Sequence, residues 1–355
     1  MNILQLVSAA NLNGAMRHCY DLSCELAARG HRVLLGHKAG AWIAQQPMPD
    51  GVELIEMTFK RRLAELRRVA VVMKERHIDV IHTHSSSAHM FGALLSLLYH
   101  YPRVATSHNT FLQPHWWYCD RIIAPSKATA RFQRWVNWVP RRCIDIIPNF
   151  INTTRLQAAR TRNEVRRELG VEDDTFVIIT VGEVFRRKNQ ELLVRALPSL
   201  ISSGVKPLVL LIGKQDPAYR QLLDSCIQRL NVESHVRLMG QRSDIPDLLA
   251  ASDIFCLPSR SEVMPIALLE SMATGLPCVA TNVGGVAELV RHNIDGLITK
   301  PGDLTALSNA LLKIDRDPSL RATLGRAAQE NVKASYSPEV CVPKIVECFE
   351  KCLSR

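Results

Sequence analysis

Two carboxylates eight residues apart, Glu262 and Glu270, flank a proline at 265 in segment 258–277, which closes on a Gly-Leu-Pro turn. Pro265 suits the first position of a helix, where its missing N–H is not needed. Glu262 then falls in the loop before the helix and Glu270 inside it. The first N–H groups of a helix have no intrahelical partner and carry partial positive charge, so they hold phosphate or diphosphate. A carboxylate on each side can grip sugar hydroxyls, and the expected ligand is a sugar nucleotide. A plainer explanation is two surface glutamates near a helix start, where the dipole favours acids. The strand before the pair and the Gly-Leu-Pro turn and strand after it argue for the site.

Other residues fit the same chemistry. In segment 181–189 a strand gives way to a helix across Arg187 and Lys188. Lys188 as a point charge, with Arg187 beside it, would neutralise a departing diphosphate; a solvated basic loop is the alternative. Gly284 and Gly285 follow a strand at 278–280 and open a helix at 286–290. They serve either a turn of positive φ or backbone-amide contact with the ligand. Gly14, in Asn-Leu-Asn-Gly after the first strand, is the equivalent feature of the first half. His108 ends a strand, where cleft residues sit. His82 and His84 share one strand face, but no third metal ligand is apparent, so a structural role is expected for them.

These residues need a frame of parallel strands. Short apolar runs alternate with helical patterns from end to end, which indicates α/β architecture. Strands are predicted at residues 3–7, 32–35, 52–56, 80–82, 104–108, 121–124 and 144–147, and the series restarts at 176–181, 208–212, 236–238, 254–257, 278–280 and 296–298. The polar stretch 152–174 between them reads as a linker with a short helix. Two doubly wound, Rossmann-like domains are expected, residues 1–165 and 166–337, with ligands at the C-terminal strand ends facing a cleft. The last helix, 338–355, has no strand to follow it. It either caps the second domain or packs back on the first.

Composition sets the class. The 355 residues are 47% hydrophobic and 22% charged, as in a globular protein with room for two cores. Ten scattered cysteines without zinc spacing fit a reducing cytosol. The N-terminus reads as a strand, not a signal peptide, and no apolar run is long enough to span a membrane. The net charge of +10 is lopsided: residues 1–170 hold 23 Lys/Arg against 12 Asp/Glu, and the remainder 21 against 22. Such asymmetry suggests an anionic partner for the first half. The arginine-rich helix at 60–76, with Leu63, Leu66, Ala70 and Met73 on one face, is one candidate contact with anionic lipid. Trp116-Trp117 and the stretch 131–138 add aromatics to basic residues; core packing of the tryptophans is the alternative.

At these residues the chain resembles the retaining glycosyltransferases of family 4, which have the GT-B fold. The resemblance runs through the Gly14 loop and Arg17, Ile-Asp-Val-Ile-His-Thr-His84, His108, Ala-Pro-Ser126 and Ile-Pro-Asn149. It continues with Lys188, Leu-Pro-Ser259, the Glu-x7-Glu motif and Gly284-Gly285. It implies that Glu270 binds the ribose hydroxyls and that Glu262 lies by the donor sugar. The backbone around Met264, Pro265 and Ile266 would meet sugar and diphosphate. Lys188 and Arg187 would hold the diphosphate, and His108 would face the sugar near the reacting centre. Gly14, Gly240, Gly284 and Gly285 would allow close backbone approach to the donor. The resemblance implies no metal and no other cofactor, and a last helix that crosses back to the first domain. Two positions depart from the family: Glu183 stands where an arginine is common, with Arg187 as its substitute, and Asn13-Gly14 where two glycines are common.

The function expected from this reading is transfer of a sugar, with retention, from a nucleotide diphosphate to a lipid-linked or lipopolysaccharide-type acceptor. The enzyme would be cytoplasmic and peripheral at the inner face of the plasma membrane, against anionic lipid. A GT-B epimerase or sugar-phosphate glycosyltransferase with a soluble acceptor is the main alternative. A non-catalytic basic binder of membrane or nucleic acid is a remoter one; no nucleic-acid recognition motif is present.

Overall fold

The computed structural model describes residues 1–354. The first series of elements is β1 (Asn2–Leu6), α1 (Gly14–Ala28), β2 (Arg32–His37), β3 (Val52–Glu56), α2 (Leu63–Glu75), β4 (Val80–Thr83), α3 (Ser86–Tyr99), β5 (Arg103–Thr106), β6 (Arg121–Ala124), α4 (Lys127–Trp135) and β7 (Ile144–Ile146). The second is α5 (Arg162–Glu168), β8 (Phe176–Val181), α6 (Gln190–Ser202), β9 (Pro207–Ile212), α7 (Pro217–Leu230), β10 (Val236–Gly240), α8 (Ile245–Ala251), β11 (Ile254–Leu257), α9 (Ile266–Ala273), β12 (Cys278–Thr281), α10 (Val286–Leu289), β13 (Leu297–Thr299), α11 (Leu304–Arg316) and α12 (Pro318–Ser335). The chain ends with α13 (Pro338–Leu353).

Each series forms one parallel sheet, ordered β3-β2-β1-β4-β5-β6-β7 and β10-β9-β8-β11-β12-β13. The central strands are buried on both faces, as helices on both sides of a parallel sheet require: β9 is buried at all six positions. This is the doubly wound arrangement twice over. The strand order reverses between β1 and β4 in one sheet and between β8 and β11 in the other.

Two compact units result, and the division differs from the expected one. The first is Met1–Phe150 with the segment from Pro338 onward, and the second is Ile151–Ser337. The stretch 151–165 is therefore not an extension of the first domain. Its arginines decide this: Arg160 bonds Asp247 at 2.8 Å and Asp244 at 2.6 Å, and Arg162 bonds Asp253 at 2.6 Å, all in the second unit. The charge asymmetry shrinks with the new boundary, to a net of +8 for the first unit and +2 for the second.

Helix α13 belongs to the first unit. Its Cys341, Val342, Ile345, Cys348 and Phe349 join the core that holds Ile3, Leu22, Val80 and Val104. Nine of the ten cysteines are buried and Cys24 is half-buried. Burial pushes the Cys341 thiol up to about 12, so it packs as a small apolar group. Helix α2 turns inward on Leu66, Val69 and Met73, whereas Leu63 is exposed. Two of its basic side chains are paired: Arg68 with Glu65, and the C-capping Arg76 with Glu53. Among the described residues no helix is long and apolar enough to cross a membrane.

Candidate functional site

In the second unit the strand order switches between β8 and β11, the point beyond whose C-terminal strand ends a doubly wound sheet binds its ligand. The loop after β8 carries Arg187 and Lys188; the loop after β11 carries Ser259 and Glu262. Glu262 is 6% exposed. Its Oε1 accepts from Lys188 Nζ at 2.7 Å and from Ser259 Oγ at 2.6 Å, and its Oε2 accepts from the Arg187 guanidinium at 3.3 Å. Burial pushes the Glu262 carboxyl upward. Lys188, Arg187 and the hydrogen bonds outweigh burial and hold it below the usual range, so it is ionised at neutral pH. Glu183 is exposed and forms no ion pair among the described residues, whereas Arg187 reaches the site.

Backbone bonds lock the two loops together. The Arg260 N–H donates to the Arg187 carbonyl at 2.8 Å, and the Arg187 guanidinium donates to the Ser261 carbonyl at 2.8 Å. From the other side, Gly284 presses on the Glu262 loop. Its φ is +54°, and a Cβ there would stand 1.6 Å from the Glu262 carbonyl oxygen. Gly284 therefore lets the neighbouring chain touch Glu262. Gly285 follows with φ −85° and donates its N–H to the Val263 carbonyl at 2.9 Å. It has no dihedral demand for glycine. Gly240 ends β10 with φ +66°, and its carbonyl accepts from the Gly213 N–H at 2.7 Å.

Helix α9 begins one residue later than expected. Pro265 is its N-cap, with an extended ψ of 116°, and Ile266 is the first helical residue. No side chain caps the end, and the Leu268 N–H already donates to the Pro265 carbonyl at 3.2 Å, so the N–H groups of Ile266 and Ala267 are the ones that face an anion. Met264 and Ile266 are buried, which leaves their backbone, not their side chains, to meet a ligand. Glu270 lies in the second turn and accepts from Arg155 at 2.8 Å. Nothing local in the sequence marks Arg155, which lies in the polar stretch that reads as a linker.

The first unit gathers histidines at its own switch point. His84 directly follows β4, and His108 lies two residues beyond β5, in a loop and not on the strand as expected. His84 Nδ1 is 3.3 Å from His108 Nε2, and His84 Nε2 is 2.5 Å from Gln5 Oε1. His18 on α1 joins them: one ring nitrogen from each of His18, His84 and His108 lies within 4.8 Å of the others. The missing third partner of His84 is thus supplied twice, by a helix and a loop far away in sequence. His82 instead meets Thr106 Oγ1 at 2.8 Å. Burial lowers all four imidazoles, His18 to about 4 and His82 to about 3, so they are neutral at pH 7. Gly14 is the first residue of α1, and the Asn13 side chain caps that helix by accepting from the Met16 N–H.

Comparison with known proteins covers both units. Residues 161–331 match the model of glycosyl transferases group 1, and residues 12–155 match that of glycosyltransferase family 4. The chain belongs to the family 4, group 1 glycosyltransferases. This glycosyltransferase is 28% identical to the Escherichia coli UDP-Gal:alpha-D-GlcNAc-diphosphoundecaprenol alpha-1,3-galactosyltransferase, over 70% of its own length and 69% of the relative's. It is 27% identical to the Bacillus anthracis N-acetyl-alpha-D-glucosaminyl L-malate synthase, over 93% and 91% respectively. Among solved structures, Anabaena HepE in complex with UDP and glucose superposes with a TM-score of 0.88 at 24% identity, covering 99% of this chain and 100% of that one. The fold of this glycosyltransferase is GT-B.

Proposed function

We propose that this glycosyltransferase moves a sugar, with retention, from a nucleotide diphosphate to a hydroxyl of a lipid-linked or lipopolysaccharide-type acceptor at the cytoplasmic face of a membrane. The observation that carries the donor half is the buried, ionised Glu262 bound by Lys188 and Arg187 beside the uncapped start of α9. Lys188, Arg187 and the N–H groups of α9 receive the diphosphate. Glu262 meets the donor sugar and Glu270 the ribose. The bond between the anomeric carbon and the diphosphate oxygen breaks, and its electron pair stays on the diphosphate. The acceptor hydroxyl attacks from the same face and gives its proton to the departing phosphate oxygen. His108, neutral, contributes a hydrogen bond to the sugar. Cations and helix dipole stabilise the leaving charge, so no metal is required. The names of the relatives support the acceptor half unequally: the Escherichia coli protein is named for an undecaprenol-linked acceptor, the Bacillus anthracis protein for L-malate. The latter keeps a soluble acceptor as the second reading.

The test is release of nucleotide diphosphate from a panel of nucleotide sugars, with membrane lipid extract or L-malate as acceptor. Release with lipid extract supports the proposal. No release with any donor, or release with malate alone, overturns it. Lys188→Ala and Glu262→Ala are each expected to lower transfer on the order of 100-fold, and full activity in both would reject the site. Dialysis against EDTA is expected to leave the rate unchanged. A loss that zinc restores would make His18, His84 and His108 a metal centre instead.

A further inference from the structure

Three tryptophans of the first unit stand in solvent. Trp117, Trp135 and Trp138 are 56%, 67% and 68% exposed, and Phe111, Leu112 and Tyr118 are exposed in the same two segments. The buried amides of Gln133 and Asn137 clasp these segments together. The Asn137 side chain accepts from the Gln113 N–H at 3.0 Å and donates to the Phe111 carbonyl at 3.2 Å and to Gln133 Oε1 at 3.0 Å. The Asn137 backbone carbonyl accepts from the Trp117 indole at 2.7 Å. Trp138 has φ +51°, a conformation that is unfavourable for a bulky residue and persists only where the surroundings impose it. The aromatics are thus held out by a polar frame beneath them.

The charges around them have one sign. Residues 111–142 contain six Lys/Arg and a single acid, Asp120. Arg131, Arg134, Arg141 and Arg142 are exposed and form no ion pair among the described residues. The Arg134 guanidinium lies 4.7 Å from the centre of the Trp135 ring. Indole rings favour the headgroup level of a bilayer, and unpaired arginines are drawn to its anionic surface. A nucleic acid or an acidic protein would answer the charge but not the isolated, outward apolar tips.

We propose that the patch of Phe111, Leu112, Trp117, Trp135 and Trp138, ringed by these arginines, inserts into the headgroup layer of an anionic membrane. This names the membrane contact of the enzyme proposed above and rests on that reading for its setting. It also places the contact away from α2, whose apolar side is buried and whose Arg68 is paired. The inserted loop is the one that carries His108. Gln133 donates to Ser107 Oγ at 2.7 Å, beside that histidine, so docking and the histidine cluster share a frame.

The test is flotation of the full chain with vesicles of mixed phosphatidylglycerol and phosphatidylcholine, and with vesicles of phosphatidylcholine alone. Binding is expected only to the anionic vesicles. Trp135→Ser/Trp138→Asn is expected to weaken it on the order of tenfold; asparagine tolerates the positive φ. Arg141→Gln/Arg142→Gln is expected to weaken it about fivefold per arginine. An unchanged melting temperature shows that each variant folds, and should the tryptophan variant fail to fold, the arginine pair carries the test alone. Equal binding to both vesicle types, undiminished binding by both variants, or a dimer that the tryptophan variant dissolves would overturn the proposal. Neither donor nor acceptor is present, so membrane docking can fail while sugar transfer stands.

Discussion

Glu262 is a buried anion whose neighbours determine its cost. Breaking a buried pair by removing one partner leaves an uncompensated charge, worth about 3 kcal/mol in general. Lys188→Ala would leave Glu262 with Ser259 and the more exposed Arg187, so a loss of about 2 kcal/mol in urea unfolding is expected. Lys188→Ala/Glu262→Gln should recover most of that stability and none of the transfer activity. A double variant as unstable as the single one would sink this account of the pair. Glu262, Arg187 and Lys188 were legible in the sequence because each lies a few residues past an apolar strand, where a doubly wound sheet exposes its loops. The Arg155–Glu270 pair was not legible. Its members are 115 residues apart, and nothing local marks an arginine in a polar stretch as the partner of a helix carboxylate. The same holds for His18, which meets His84 and His108 only because α1 crosses their sheet.

Gly284 shows how an element constrains a residue on another. Gly284→Ala would drive a methyl group into the Glu262 carbonyl and also occupy a left-handed φ. It is expected to lower the melting temperature and to abolish thermal stabilisation by any donor found in the panel. Gly285→Ala, at φ −85°, should cost less. If the two alanines behave alike, the close approach is not what glycine 284 is for. At this scale the strands were readable within a residue or two, because runs such as 208–212 are apolar throughout and bounded by turn residues. The unit boundary was not. Residues 152–174 look like a linker because they are polar and charged, yet Arg160 and Arg162 within them are anchored to Asp244, Asp247 and Asp253. Composition shows that a segment is polar, not where its partners are.

For the whole molecule the histidines set an acid limit. His18 and His82 are buried, with folded pKa values of about 4 and about 3, against about 6.5 in the unfolded chain. Between those values the unfolded chain binds a proton that the fold refuses, so stability falls as pH falls. Each group contributes roughly 1.4 kcal/mol per pH unit across that window. The melting temperature should therefore decline steadily from pH 7 to pH 5, and His18→Leu should flatten the decline. A melting temperature independent of pH over this range would contradict neutral burial of these rings. Glu262 acts in the opposite sense. Its depressed pKa contributes stability above the ordinary carboxylate range, and that contribution is lost only as pH falls through the lower folded value.

The return of α13 to the first sheet has a consequence in time. The second unit is an insertion: the chain enters it after Phe150 and leaves it before Pro338. A ribosome therefore delivers seven strands of the first unit, then an entire second unit, before it makes the helix that supplies Cys341, Ile345 and Phe349 to the first core. The second unit can finish while the first still lacks a wall. Of the two units, the one begun first is completed second, and until α13 emerges its apolar sheet face is the surface a chaperone would hold.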